Sequence, residues 1–509
     1  MAQVQNQASL SREEVIDILQ SLEERYPVET WYVDDVPVWP IVKIKLFFEW
    51  FRTYKKQFSE VSIGEPVKEK KSVTGKLTQI VAGAGIYAKL KMSSPEPSAF
   101  LFTGAAVHRA VFEGRFINKF FSPLLEYIFK KTGERPASVE YGKRLEGKVY
   151  PVDYPILFLT DLSPFLKLLR WKRKREITRK LEGLDTRAFI ADIQLSLRSK
   201  LSEKKFAQTI SEEIFSIDVY ADFYSMLFKK YGCRYTLGLW YYHVSGYGMN
   251  LAAFRNGVVS VDVQHGSQGP THVAYANFKK IPAQGYSILP KHFWVWEQGS
   301  ADVVDAWAKK SDYHSALVGG NPWLDFLKAK PLTMPWLQSS KPVILYTLQH
   351  TFLEPYIIDA IRKTGSRFFW LLRLHPRELH NKGKLEQVLT AEGLASFADI
   401  ENATKEPLPL LMPKCSVHLS KYSGSIIEAA LLNVPNVILD ELGVQNYRDL
   451  INDGQAVACT DMNADTLIAA IDDSLNVSSR RARVTGHEVV NYETVINEWL
   501  KDAQIKNNV

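Results

Sequence analysis

Histidines and hydroxyls in this 509-residue chain gather just after short apolar runs. Gln264-His265-Gly266 closes the run from Val258 to Val263, and Gln349-His350 follows Pro342 to Thr347. His375-Pro376 closes Phe368 to Leu374, and Ser420 to Ser425 follows Cys415 to Leu419. Short apolar runs without alternation read as strands buried on both faces, which belong to parallel sheets covered by helices. In such sheets ligands bind outside the carboxyl ends of the strands, which is where all four clusters fall. An imidazole there can move a proton, and hydroxyls and free backbone N–H groups can hold an anion. One such histidine is usually structural, a capped or core imidazole. Several of them, at strand ends in both halves of the chain, make a candidate site.

The best-defined local unit is CSVHLSKYSGSIIEAALLNVPNVILD, from Cys415 to Asp440. It predicts a buried strand, a polar loop, a helix from Ser425 to Leu432 and a second strand from Asn436 to Leu439. Ser425 and Glu428 have the spacing of a capping box, and Asn433-Val434-Pro435 stops the helix. Ser423-Gly424 ahead of the helix could seat a diphosphate or a nucleotide monophosphate. The same residues also describe an ordinary βαβ unit with a well-capped helix, and the spacing alone leaves both readings open.

The elements that must position these clusters follow in order. Ser11 and Glu14 form another capping box and start an amphipathic helix, residues 11–25. Residues 41–58 read as an aromatic-rich helix with one polar stripe, either buried or seated on a membrane or partner. Residues 64–76 read as a loop. From Ser98 the pattern is α/β, with strands at 99–103 and 154–159, the latter closed by Thr160-Asp161, and a helical run at 118–131. Residues 166–230 are mainly helical, and strands return at 235–241, 258–263 and 292–296. The predicted organisation is a helical N-terminal extension (1–95), a first α/β domain (96–325), a linker (326–341), a second α/β domain (342–475) and C-terminal helices (476–509).

Bulk composition is that of a globular chain, with 46% hydrophobic and 23% charged residues. Three widely spaced cysteines exclude a disulfide framework and a zinc site, and fit a reducing cytosol. No signal peptide or membrane span is predicted, so the expected location is cytoplasmic. The net charge of +7 is concentrated in FLKLLRWKRKREITRK, Phe165 to Lys180. That run reads as a solvated helix face or as a peripheral contact with an anionic inner-membrane surface. Nucleic acid is not an expected partner, because no zinc-finger, RRM or helix-turn-helix pattern accompanies the charge.

Taken together, Gln264-His265-Gly266, Gly320-Asn321-Pro322 with Asp325, Leu374-His375-Pro376, and Ser423-Gly424-Ser425 with Glu428 resemble a known family. It is the GT-B glycosyltransferases of bacterial surface-polysaccharide assembly, including Kdo-transferase-like and polysialyltransferase-like proteins of capsule and lipopolysaccharide biosynthesis. The resemblance covers roughly residues 230–445, and VWPIVK and the Arg109–Pro123 stretch echo it loosely. It implies two Rossmann-like domains whose parallel sheets face a central cleft, acceptor on the first and nucleotide-sugar donor on the second. By this resemblance His375, Pro376, Ser423, Gly424 and Ser425 hold the nucleotide of a CMP-sugar, and Glu428 binds a ribose hydroxyl or only completes its helix cap. Asn321 and Asp325 form a hinge.

Transfer from such a donor needs negative charge stabilised on the leaving phosphate and an acceptor hydroxyl held in place. Helix N–H groups, His375, His350, Arg373 and Arg377 are candidates for the first task. A general base would come from His265, then Asp161, then Glu113. No D-x-D spacing occurs, so a metal-independent reaction on a nucleotide-sugar, with no cofactor and a glycan or glycolipid acceptor, is the expectation. CDP-glycerol polymer phosphotransferases share the architecture, but their His-Gly-Thr-Pro pattern is absent where Ser267-Gln268 follows Gly266. Sugar-nucleotide 2-epimerases share the Gly-Asn-Pro segment, and a catalytically dead scaffold in polysaccharide assembly is the remaining alternative.

Overall fold

The computed structural model describes residues 10–58, 73–142, 145, 149–150, 154–328, 330, 334–337, 339–350, 352–481 and 491–507. The chain forms two compact units. One comprises Met1–Gln264, Pro270–Gly320 and Tyr492–Val509; the other comprises His265–Gly269 and Asn321–Asn491.

The first unit begins with helices α1 (Arg12–Arg25), α2 (Trp39–Phe58) and α3 (Val73–Met92). The predicted capping box starts α1: Ser11 Oγ accepts from Glu14 N at 3.1 Å, and Glu14 Oε2 accepts from Ser11 N at 2.6 Å. α1 and α2 share one continuous core with the α/β layers, through Leu19, Leu22, Trp39, Val42 and Phe47. Burial against the rest of the unit therefore accounts for the apolar excess of α2. Val73–Lys76 is helical, contrary to the loop expected over 64–76; residues 64–72 of that expectation lie outside the described residues. The run QIVAGAGIYA, residues 79–88, carries no charge and packs on a neighbouring helix through Gly83, where an added Cβ would stand 3.1 Å from Phe165 Cβ.

Seven strands build the first sheet: β1 (Phe100–Ala105), β2 (Ala137–Tyr141), β3 (Ile156–Phe158), β4 (Tyr235–Gly238), β5 (Val259–Val263), β6 (His292–Val295) and β7 (Ser315–Val318). All pair in parallel, in the order β7-β6-β5-β4-β1-β2-β3. Asn118 does not start a helix as predicted. Residues 109–118 form a hairpin, and Asn118 Oδ1 accepts from Phe120 N and Phe121 N ahead of the helix Ser122–Thr132. Helix α8 (Glu203–Tyr231) crosses α9 (Val244–Asn256) closely enough that a Cβ on Gly248 would lie 2.7 Å from Tyr220 Cβ. Gly257 ends α9 at φ +65°, as its position predicts. The C-terminal helix Tyr492–Asn507 also belongs to this unit: Trp499 stacks on Tyr235 at 4.9 Å, and Asp502 accepts from the Tyr235 hydroxyl at 2.9 Å.

Six strands build the second sheet: β8 (Val343–Thr347), β9 (Phe369–Arg373), β10 (Ala398–Asp399), β11 (Val417–Ser420), β12 (Asn436–Ile438) and β13 (Ala456–Ala458). They too are all parallel, in the order β10-β9-β8-β11-β12-β13. Two α/β units with parallel sheets are the architecture that the GT-B resemblance implies.

One buried ion pair ties α1 and α2 to the first unit's loops. The side chains of Lys43 and Glu23 are fully buried, with Nζ 3.5 Å from Oε2. Lys43 Nζ also donates to the Asn277 carbonyl and lies 3.7 Å from the Phe278 ring, while Glu23 Oε1 accepts from Lys279 N and Lys280 N. Burial pulls the Lys43 ammonium down to about 8. Removing one partner strands the other charge in the core. Lys43→Met is expected to cost about 3–5 kcal/mol in urea denaturation, and adding Glu23→Gln to recover part of that loss.

Candidate functional site

The register of the second sheet brings its strand ends level. Thr347 at the end of β8 pairs with Arg373 on β9 and with Ser420 on β11. Residues 348–350, 374–376 and 421–425 therefore leave the sheet side by side. The strand order also reverses there: β9 and β10 lie on one side of β8, and β11 to β13 on the other. A crevice at such a switch point is the ligand position in open α/β sheets.

Beneath that edge runs a buried hydrogen-bond chain that was absent from the sequence expectations. His418, wholly buried on β11, has Nδ1 2.7 Å from Asn436 Oδ1 and Nε2 2.9 Å from Thr347 Oγ1. Asn436 Oδ1 can only accept, so His418 Nδ1 carries the proton and Nε2 accepts from Thr347. With its single proton given to His418, Thr347 Oγ1 can only accept from Ser425 Oγ at 3.0 Å. Ser420 Oγ lies 3.0 Å from the same hydroxyl. Burial depresses the His418 pKa to about 4, against the opposing effect of Asn436.

The chain corrects the capping box expected at Ser425. Gly424 is the N-cap, no side chain caps the helix Ser425–Leu431, and Ser425 is a buried residue whose hydroxyl turns inward to Thr347. The spacing to Glu428 was right for a cap, but the demand of the buried hydroxyl beside it won. Ser423 Oγ accepts from Ser425 N at 3.2 Å, which leaves the hydroxyl's own proton to donate elsewhere. Tyr447 fixes this loop by donating to the Ser423 carbonyl at 2.9 Å.

The other predicted donor-side residues divide. His375 follows β9 half-buried, Pro376 is exposed at the start of a 3-10 turn, and His350 is exposed after β8. Arg373 Nη1 donates to the carbonyls of Ala403 and Glu406, both at 2.6 Å, which ties that nitrogen to the end of a helix. The half-buried Glu428 lies near enough to act electrostatically on Arg373. The side chain of Arg377 lies outside the described residues. Lys421, which the sequence expectations passed over, forms a largely buried ion pair with Glu354 on the same edge.

Two predicted motifs meet within the second unit. His265–Gly269 is part of it, and a Cβ on Gly424 would stand 3.1 Å from Gly266 Cα and 3.2 Å from Ser267 N. His265 is half-buried in this loop. Gln268, only 1% exposed, has neither Oε1 nor Nε2 in a hydrogen bond among the described residues. A buried primary amide with no partner costs about 1–3 kcal/mol, which an ordered water or a bound polar molecule that reaches it would recover.

Asp161 and Glu113 lie elsewhere. The strand expected over 154–159 ends at Phe158, and Asp161 is exposed in the first turn of α5 (Leu159–Leu169) rather than at a strand end. Glu113 is exposed at the hairpin tip with φ +47°, followed by Gly114 at +73°. The first sheet's own switch point, between β1 and β4, instead carries Trp240, Tyr242 and His243. Trp240 holds φ +61°, and His243 Nδ1 accepts from Ser245 N and Gly246 N to cap α9. Buried Asp262 fixes this turn, accepting from Tyr241 N at 3.1 Å and the Tyr275 hydroxyl at 2.9 Å. Burial pushes its carboxyl up to about 8. An aspartate inside the apolar run VSVDV was the one sequence signal for this site.

No protein-family model matches the chain, and no curated protein matches it. Solved structures do. The UDP-GlcNAc 2-epimerase from Neisseria meningitidis bound to UDP-GlcNAc aligns over 79% of this chain and 99% of its own, at 12% identity and TM-score 0.48. The enzyme of the same name from Methanocaldococcus jannaschii aligns over 79% and 99%, at 10% identity and TM-score 0.47. The glycosyltransferase SnogD from Streptomyces nogalater aligns over 80% and 100%, at 13% identity and TM-score 0.45. At these scores the likenesses do not separate one activity from another.

The neutral His418 gives the edge a pH signature. Its folded pKa is about 4 against an ordinary 6.5, so the unfolded chain binds the proton first as pH falls. The stability it supplies is complete above about 6.5 and lost as pH falls through about 4. In His418→Gln that dependence is gone, so the melting-temperature gap between wild type and variant is expected to narrow across this window.

Proposed function

We propose that this chain is a glycosyltransferase that moves a sugar from a nucleotide-activated donor, with a CMP-sugar favoured, to a hydroxyl of a growing surface glycan without a metal. The observation that carries the reading is the unsatisfied amide of buried Gln268. Its loop lies against Gly424 at the switch-point edge of a parallel sheet, where Ser423 follows one strand end and His375 follows another, with one strand between them. A sugar or phosphate offers the donors and acceptors that such an amide lacks. In this scheme His375 and the hydroxyl proton of Ser423 meet the donor phosphates, and Ser425 acts through Thr347 to hold the loop. Lys421, already paired with Glu354, braces the same edge rather than offering it a net charge. His265, in the loop on Gly424, is the base that takes the acceptor proton.

The experiment is a thermal-shift screen against CMP, CDP, UDP, GDP and TDP, followed by turnover with radiolabelled nucleotide sugars and a glycan acceptor. Gln268→Leu is expected to raise the melting temperature of the ligand-free protein and to abolish the shift given by the best nucleotide sugar. Misfolding cannot produce both changes. His375→Ala is expected to weaken nucleotide binding roughly 10-fold, the loss of a hydrogen bond to a charged group. His265→Ala is expected to leave affinity nearly intact while lowering turnover about 10²-fold. Conversion of the labelled sugar to its 2-epimer with no label reaching an acceptor would overturn the transferase reading.

A further inference from the structure

Among the described residues, the pair of helices α3 and α5 leaves an apolar face uncovered. α3 is apolar on nearly all sides; α5 packs on one of them, through Gly83 and through Tyr87, whose ring centroid lies 5.5 Å from that of Phe165, and Leu90 joins the unit's core. On α3, Leu77 is 62% and Val81 65% exposed, and Met92 ends the helix at 77%. On α5 and the turn after it, Leu168, Leu169 and Trp171 are 49%, 53% and 52% exposed. The ends of the two helices are neighbours, since Lys91 and Asp222 line one surface depression and Arg170 pairs with Asp222. Exposed cations rim this face: Lys89 and Lys91 on α3, then Lys172, Arg175 and Arg179 on the next helix, α6 (Arg173–Glu182). Lys172 and Arg175 stand 5.8 and 5.9 Å from the Trp171 ring.

We infer that this face docks on the surface of an anionic lipid bilayer. Charge complementarity selects that occupant. An apolar strip ending in a tryptophan and edged by lysine and arginine matches the boundary between acyl chains and negatively charged headgroups. No helix among the described residues is long and apolar enough to cross a membrane, so the contact is with the surface. Part of the basic run is engaged otherwise: Arg173, Lys174 and Lys180 pair with Asp34, Glu176, Asp218 and Glu212. That leaves the apolar strip and the cations beside Trp171 as the membrane-facing elements.

The test is co-sedimentation of the full chain with vesicles of phosphatidylcholine and phosphatidylglycerol in equal parts, against phosphatidylcholine alone. Wild type is expected to pellet with the anionic vesicles and to stay in solution with the neutral ones. Leu169→Gln with Trp171→Ala, and separately Lys172→Glu with Arg175→Glu, are each expected to lower the partition coefficient about 10-fold or more. Their melting temperatures should not move, because all four side chains are exposed. Wild type that pellets with neither vesicle overturns the inference, as does pelleting that neither double variant changes. So does a concentration-dependent dimer abolished by the same variants, which would assign the face to a second copy. The nucleotide-induced thermal shift is read on the second unit, so either proposal can fail without the other.

Discussion

Thr347 has one proton and two lone pairs for its three partners His418, Ser420 and Ser425, and that one-to-one match organises the edge of the second sheet. Because His418 stays neutral and its Nδ1 proton goes to Asn436, the direction of every bond in the chain follows. Ser425 must point inward, its helix must begin without a side-chain cap, and the loop before it must be held by Tyr447 instead. A buried polar network in which each member is satisfied fixes one arrangement far more firmly than apolar packing does. Here it fixes the strand-to-helix turn that carries Ser423.

The first unit repeats the device with different residues. Thr103, on its central strand, lies 2.8 Å from the Tyr224 hydroxyl, which lies 2.8 Å from Ser245 Oγ at the start of α9. In both units a threonine beside the switch point is coupled to a serine in the first turn of the helix after the neighbouring strand. The intermediate differs: a tyrosine from a crossing helix in one, direct contact in the other. Two helix starts are thus anchored from below the sheet, while His243 and Ser423 take first-turn N–H groups at the carboxyl edge.

Much of this was legible in the sequence. Unalternating apolar runs marked the strands, Gly257 marked a helix end, and the Ser11–Glu14 box formed as its spacing required. Local rules failed where a tertiary demand outranked them. The Ser425–Glu428 spacing was correct for a cap, yet Thr347, distant in sequence, claims the serine. Arg373 ends a strand beside His375, yet two carbonyls of a distant helix hold one of its guanidinium nitrogens. The uncharged run of α3 has no helix-start signal and no clean amphipathic period, so only its packing on α5 reveals it. His418 and Asp262 were visible as polar residues inside apolar runs, but the partners that make them informative are 71 and 13 to 21 positions away.

Asp262 shows why the interior of the first sheet tolerates so expensive a group. Trp240 sits at φ +61°, a conformation costing about 1–3 kcal/mol for a bulky residue, and it persists only if its surroundings over-determine it. The carboxyl of Asp262 takes Tyr241 N on one oxygen and the Tyr275 hydroxyl on the other, while Tyr141 donates to the Leu239 carbonyl on the near side. The turn is therefore clamped before and after the strained residue. Burial raises its pKa to about 8, while the hydrogen bonds it accepts from Tyr275 and Tyr241 oppose that rise and offset part of the cost of burying it. A strained aromatic turn held by a buried acid stands at the point where the strand order reverses, so Trp240 and Tyr242 lie at the carboxyl edge of the first sheet.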